Sequence, residues 1–112
     1  MVKGKQAYTL WLAAFNDFPK VHRATFGKKI DGYFLQLLEA MFIAAYLPAD
    51  RKVVGLGTAI AKADAVRFLL QLAWENKCVS SERYANLSEL LDEVGRMLGG
   101  WRNGLQKKTP AR

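Results

Sequence analysis

The sequence is short of the residue types on which most site chemistry depends. It has one cysteine, Cys78, and one histidine, His22. A lone cysteine excludes an intrachain disulfide and a cysteine zinc cluster, and it suits a reducing, cytoplasmic setting. His22 follows Pro19 and Lys20 at a helix start, with no cysteine or carboxylate at ligand spacing, so no histidine metal site is expected. The carboxylates Glu39, Asp64, Asp92 and Glu93 lack the Glu-x-x-His pattern of di-iron bundles. Nothing in the sequence supports Cys78 and His22 as nucleophile and base. Gly55 and Gly57, in VVGLGTAIAKAD, have neither GxGxxG spacing nor a preceding strand, which argues against a nucleotide loop. The expectation is therefore a protein that is not an enzyme and holds no metal or cofactor.

Other absences set the fold class. Alternating polar and apolar runs are missing, and no Asn-Gly or Asp-Gly pair stands between two such runs, so no strand signal competes with helix. The longest apolar run, Tyr33 to Leu47, contains Gln36 and Glu39 and falls short of the roughly 20 residues a membrane span needs. The first residues lack the apolar core and cleavage site of a signal peptide. Hydrophobic residues make up 51% of the chain, which argues for a folded core rather than disorder.

Only three prolines occur, Pro19, Pro48 and Pro110, and they fall between periodic runs rather than inside them. Proline lacks an amide hydrogen and disfavours a helical residue before it, so each marks a boundary. The pattern predicts one domain with helices over 5–18, 22–47, 50–77 and 81–105, then a basic tail over 106–112. Asp50 is the expected N-cap of the third helix, and Ser80 or Ser81 that of the fourth. The connections are short, so consecutive helices should pack antiparallel as an up-down-up-down four-helix bundle.

The fourth helix carries the clearest seam: Tyr84, Leu87, Leu91, Val94, Leu98, Trp101 and Leu105, spaced alternately by three and four. It also holds Gly95, Gly99 and Gly100, each costing an isolated helix about 1 kcal/mol relative to alanine. Close approach of a neighbouring backbone is the expected return. The second helix is apolar almost all round, which predicts burial on several sides and hence an oligomer. Phe34, Leu38, Phe42 and Tyr46 are its expected subunit face. In the third helix Arg67 falls on the seam Val53, Leu56, Ile60, Ala63, Leu70 and Trp74. Two structural readings stand. Either Asp64 pairs with Arg67 inside the bundle, where losing one partner would cost about 3–5 kcal/mol, or the stripe drifts toward Ala59, Val66, Leu69 and Ala73 and leaves Arg67 at the core edge. A third places Arg67 in an internal channel.

Seventeen Lys and Arg against ten Asp and Glu leave a net charge of +7, and no acidic residue follows Glu93. Such an excess attracts polyanions. Antiparallel topology gathers Arg51, Lys52, Arg102, Lys107, Lys108 and Arg112 at one end. Most aromatics fit core spacing, so phosphate contact without base reading is expected there. Lys28, Lys29 and Lys62 lie on the sides.

The segments VRFLLQLAWE, Val66 to Glu75, and LLDEVGRMLGGW, Leu90 to Trp101, resemble the accessory variability determinant (Avd-like) proteins of diversity-generating retroelements. FGKKIDGYFLQLLEAMFIA, Phe26 to Ala44, is a looser match. The wider four-helix-bundle family includes proteins encoded in ribosomal RNA intervening sequences. The resemblance implies a homopentameric barrel of bundles with a basic surface. It implies association with a reverse transcriptase and with RNA or DNA, in a non-catalytic role during mutagenic reverse transcription. Arg67 and Arg96 fall on the family's recurring arginines, and Arg96 joins the binding set on that ground. The alternative is a stand-alone RNA-associated bundle of the intervening-sequence type, without a reverse transcriptase.

Overall fold

Four long helical stretches, and among the described residues no strand, make up the chain. The structure is a computed structural model that describes residues 1–108; the Lys108 side chain lies outside the described set, as does the rest of the tail, including Arg112. Helix α1 is Val2–Asn16 and α2 the single turn Lys20–His22. A π-helical turn, Arg23–Gly27, runs on into α3, Lys28–Tyr46. Helix α4 is Ala49–Glu75 and α5 is Ser81–Lys108.

The boundaries differ from expectation where the backbone found better partners. Helix α1 starts earlier, because Lys5 N already donates to Met1 O. Pro48, not Asp50, caps α4; Asp50 lies in the first turn, where its charge faces the positive end of the helix dipole. Helix α4 ends at Glu75 rather than residue 77. There Cys78 N donates to Ala73 O and Lys77 N to Trp74 O, the paired bonds of a Schellman motif. Lys77 takes the left-handed position, φ 63°, usually held by glycine. Ser80 caps α5 by accepting from Arg83 N at 3.2 Å. The tail expected from residue 106 is helical through Lys108.

Neighbouring helices run antiparallel. Along α3 and α4, Ala44 lies near Gly55 and the Lys62 ammonium stands over the Tyr33 ring. Along α4 and α5, Trp74 stacks on Tyr84 and Arg67 meets Asp92. Arg83 at the start of α5 pairs with Asp17 at the end of α1, 2.8 Å.

Helix α1 fills the groove between α3 and α5 with small residues and one large one. Gly4, Ala7 and Ala14 are buried around Trp11, which is fully enclosed. Its ring lies 6.1 Å from Phe34, nearly parallel, and meets Phe18 edge-on. A Cβ on Gly4 would sit 3.0 Å from Leu38 Cδ2, so glycine sets the distance between α1 and α3 here. At Gly27 a Cβ would meet Phe15 Cε1 at 2.9 Å, which is how the π turn seats the Phe15 ring.

Helix α1 is too short to span the bundle. Its first turn pairs with α5 through Lys3 and Glu93, 3.0 Å apart, whereas α5 continues about 22 Å beyond Glu93. That end has three helices. The α5 seam is buried at Leu87, Leu91, Val94 and Leu98, but Trp101 is 36% exposed, with no fourth helix over it among the described residues.

Two expectations are corrected. No neighbouring backbone closes on these glycines of α5 among the described residues: nothing lies within 4 Å of a Cβ built at Gly99 or Gly100, and Gly95 has only the Arg67 side chain, Nη1 at 3.8 Å. Asp64 and Arg67 are not a buried pair either. The α4 core stripe is Leu56, Ala59, Ala63, Val66, Leu70 and Ala73, so it drifts as a straight helix must and leaves Arg67 at its edge. The Arg67 side chain is 47% exposed, and its close partner is Asp92 on α5 at 2.8 Å, with Asp64 at 3.9 Å. A half-exposed pair contributes up to about 1 kcal/mol. Arg67→Ala is thus expected to lower the melting temperature by only about 2–6 °C in a thermal scan.

Candidate nucleic-acid interface

The cationic residues predicted for binding do converge on the three-helix end, but they do not all face outward. Arg51, in the first turn of α4, and Lys107, near the end of α5, are exposed. Neither makes an ion pair among the described residues. Lys52 turns inward across the uncovered end of the core. Its Nζ donates to Ala45 O at 2.9 Å and stands 5.5 Å from the Trp101 ring centroid. Lys52 thus does part of the covering that a longer α1 would have done, with its aliphatic stem on apolar surface. Arg102 lies against α4, its Nη1 3.8 Å from a Cβ built on Gly57 and its Nε buried without a hydrogen-bond partner. Arg96 is exposed on the outer side of α5, about 9 Å along the axis from Arg102. Lys108 lies beside this group in sequence, and its side chain is outside the described residues.

The expected subunit face splits in the same way. Phe34 is not on the surface: it is fully buried beneath Trp11 and Tyr8. Leu38 is half-buried against Gly4. Phe42, 55% exposed, and Tyr46, 76% exposed, remain outside, their ring centroids 5.0 Å apart. Leu35 and Ile43 extend this exposed apolar surface of α3.

A polar feature that sequence reading missed lies part-buried at the contact of α1 with α3. Asp31 Oδ1 accepts from Tyr8 OH at 2.9 Å and from Trp11 Nε1 at 3.0 Å. A buried tryptophan and a half-buried tyrosine need acceptors, and Asp31 is an acid set just before the long apolar run, which was the available signal. Burial first, then the hydrogen bond to Asp31 and its charge, push the Tyr8 hydroxyl up to about 12. The neutral phenol is therefore favoured in the folded state. Its stabilisation is complete below pH about 10 and is lost as pH rises toward 12. Tyr8→Phe is expected to flatten that part of the stability curve, measured by denaturant titrations across this range. Burial also pushes the Cys78 thiol up, so the buried sulfur is a poor nucleophile at neutral pH.

No group of three metal-ligating side chains comes together among the described residues. No helix among them is long and apolar enough to cross a membrane. Fold and charge define a class: a small, basic helical bundle whose one end is three helices rimmed with cations. Residues 3–105 match the family model for bAvd-like proteins, and the chain belongs to that family. Comparison with curated proteins and with solved structures returns no match.

Proposed function

We propose that the protein is the non-catalytic accessory subunit of a diversity-generating retroelement. In this reading it assembles as a homopentamer and holds a reverse transcriptase and its template RNA on the basic three-helix ends. Family membership over residues 3–105 carries the reading. The net charge of +7, multiplied around a ring of subunits, would give a strong field for RNA. Phe42 and Tyr46 offer apolar surface that one bundle leaves uncovered. The open flank of α5 at Gly99, Gly100 and Gly104 leaves room for a neighbouring protomer's backbone.

Two measurements on one preparation test this. Coexpression with a reverse transcriptase of a diversity-generating retroelement should yield a complex that survives affinity purification. Light scattering on the protein alone should give five times the chain mass of 12.6 kDa. Phe42→Glu with Tyr46→Glu should reduce that mass to one chain while circular dichroism stays helical. A wild-type monomer at micromolar concentration would remove the assembly. RNA binding without any retained reverse transcriptase would favour the intervening-sequence type of bundle instead.

A further inference from the structure

A second cationic cluster lies at the opposite end of the bundle, about 27 Å along α3 from Tyr46. Where the π turn passes the C-terminal half of α1, a cleft of about 440 Å³ is lined by Phe15, Lys20, Arg23, Ala24, Lys28 and Asp31. Three cations share it with one carboxylate, and Asp31 Oδ1 already takes two hydrogen bonds, from Tyr8 and Trp11. Lys20 and Lys28 are exposed and make no ion pair among the described residues. Arg23 is the fixed member. Its Nη2 donates to the carbonyls of Asn16 at 2.8 Å and Phe18 at 3.2 Å, which anchors the guanidinium to the α1–α2 turn. Its Nε is buried without a partner. A guanidinium has five N–H donors in a rigid fork that matches phosphate oxygens. Here an anchored one lines the same cleft as two exposed ammonium groups.

The backbone has a reason to be irregular at this spot. Widening α3's start into a π turn places Gly27 against the Phe15 ring, leaving that ring as one wall of the cleft. π turns inside helices are concentrated at functional sites. An aromatic face beside cations suits a nucleotide unit, with the phosphate on the cations and the sugar or base on the ring.

We propose that this cleft binds the phosphate of a nucleotide through Lys20, Arg23 and Lys28, with Phe15 against its sugar or base. The phosphate comes either from the backbone of a nucleic-acid strand or from a free mononucleotide. The site is separate from the basic end and does not depend on the reading given for it.

Calorimetry on the full chain at low salt, with AMP and with adenosine, is run beside anisotropy of a short single-stranded RNA lacking terminal phosphates. The ligand that binds in the cleft should lose at least about tenfold in affinity to Lys20→Glu with Lys28→Glu. For RNA, the slope of log affinity on log salt should become shallower by about 1.4, two contacts at about 0.7 each. Both lysines are exposed, so the double variant should melt like the wild type. A charge-matched control, Lys5→Glu with Lys29→Glu, should bind as the wild type does. AMP binding sensitive to the double variant, with RNA unaffected, assigns the cleft to a free nucleotide. RNA binding sensitive to it, with AMP inert, assigns it to a strand. Arg51→Glu with Lys107→Glu should leave AMP affinity unchanged, so failure at the basic end is read separately. The proposal is overturned if neither AMP nor RNA responds to the double variant, if the control pair matches its effect, or if adenosine binds as tightly as AMP.

Discussion

Trp11→Ala should cost about 3–5 kcal/mol, the usual range for truncating a buried aromatic. In a domain of this size that is a fall in melting temperature on the order of 10–20 °C. The reason is position as well as area. Trp11 is the one large fully buried residue of α1, and the buried Gly4, Ala7 and Ala14 that share its face are too small to fill the space it would leave. Its loss also removes one of the two donors to the part-buried Asp31 Oδ1. Tyr8→Phe removes the other donor but leaves the ring packed, and about 1 kcal/mol is expected. A thermal scan that gave the two variants the same melting temperature would show that α1 contributes little to the core.

The second large effect concerns RNA. Arg51→Glu with Lys107→Glu should weaken RNA binding on the order of 100-fold at about 150 mM salt, because each reversal removes a phosphate contact and adds a repulsion, repeated on every subunit engaged. Stability should barely change, since both side chains are exposed and unpaired among the described residues. Arg102 and Lys52 are poor choices for the same test. One is packed over Gly57 and the other spans Ala45 O and Trp101, so altering them would disturb the bundle along with the surface. Binding with wild-type affinity and an unchanged salt slope would refute a role for the basic end.

What could be read from the chain alone was set by local chemistry. Proline positions and the three-four spacing place the helices because backbone geometry and the hydrophobic period act over a few residues. The short connections then force the antiparallel order, and the order sends Arg51, Lys52, Arg102 and Lys107 to one end. Family membership was legible for a similar reason, since EVGRMLGGW and VRFLLQLAWE are contiguous.

Facing and partnership were not legible, because they depend on where one helix stops against another. Phe34 and Phe42 are both apolar residues of α3, yet Tyr8 and Trp11 of α1 cover the first, while the second stands one position off the buried stripe of Leu37, Met41 and Ala44 and stays on the surface. Arg67 has Asp64 one turn away in sequence, yet Asp92 across the α4–α5 groove is the closer partner. Where α1 ends against α5 is also a tertiary matter: among the described residues three helices meet beyond it, Trp101 is part-exposed and Lys52 lies across Ala45 O and the Trp101 ring. The π turn is likewise a tertiary decision. Arg23 anchors to the carbonyls of Asn16 and Phe18, and Phe15 presses on Gly27, so contacts with α1 rather than helix propensity shape that segment.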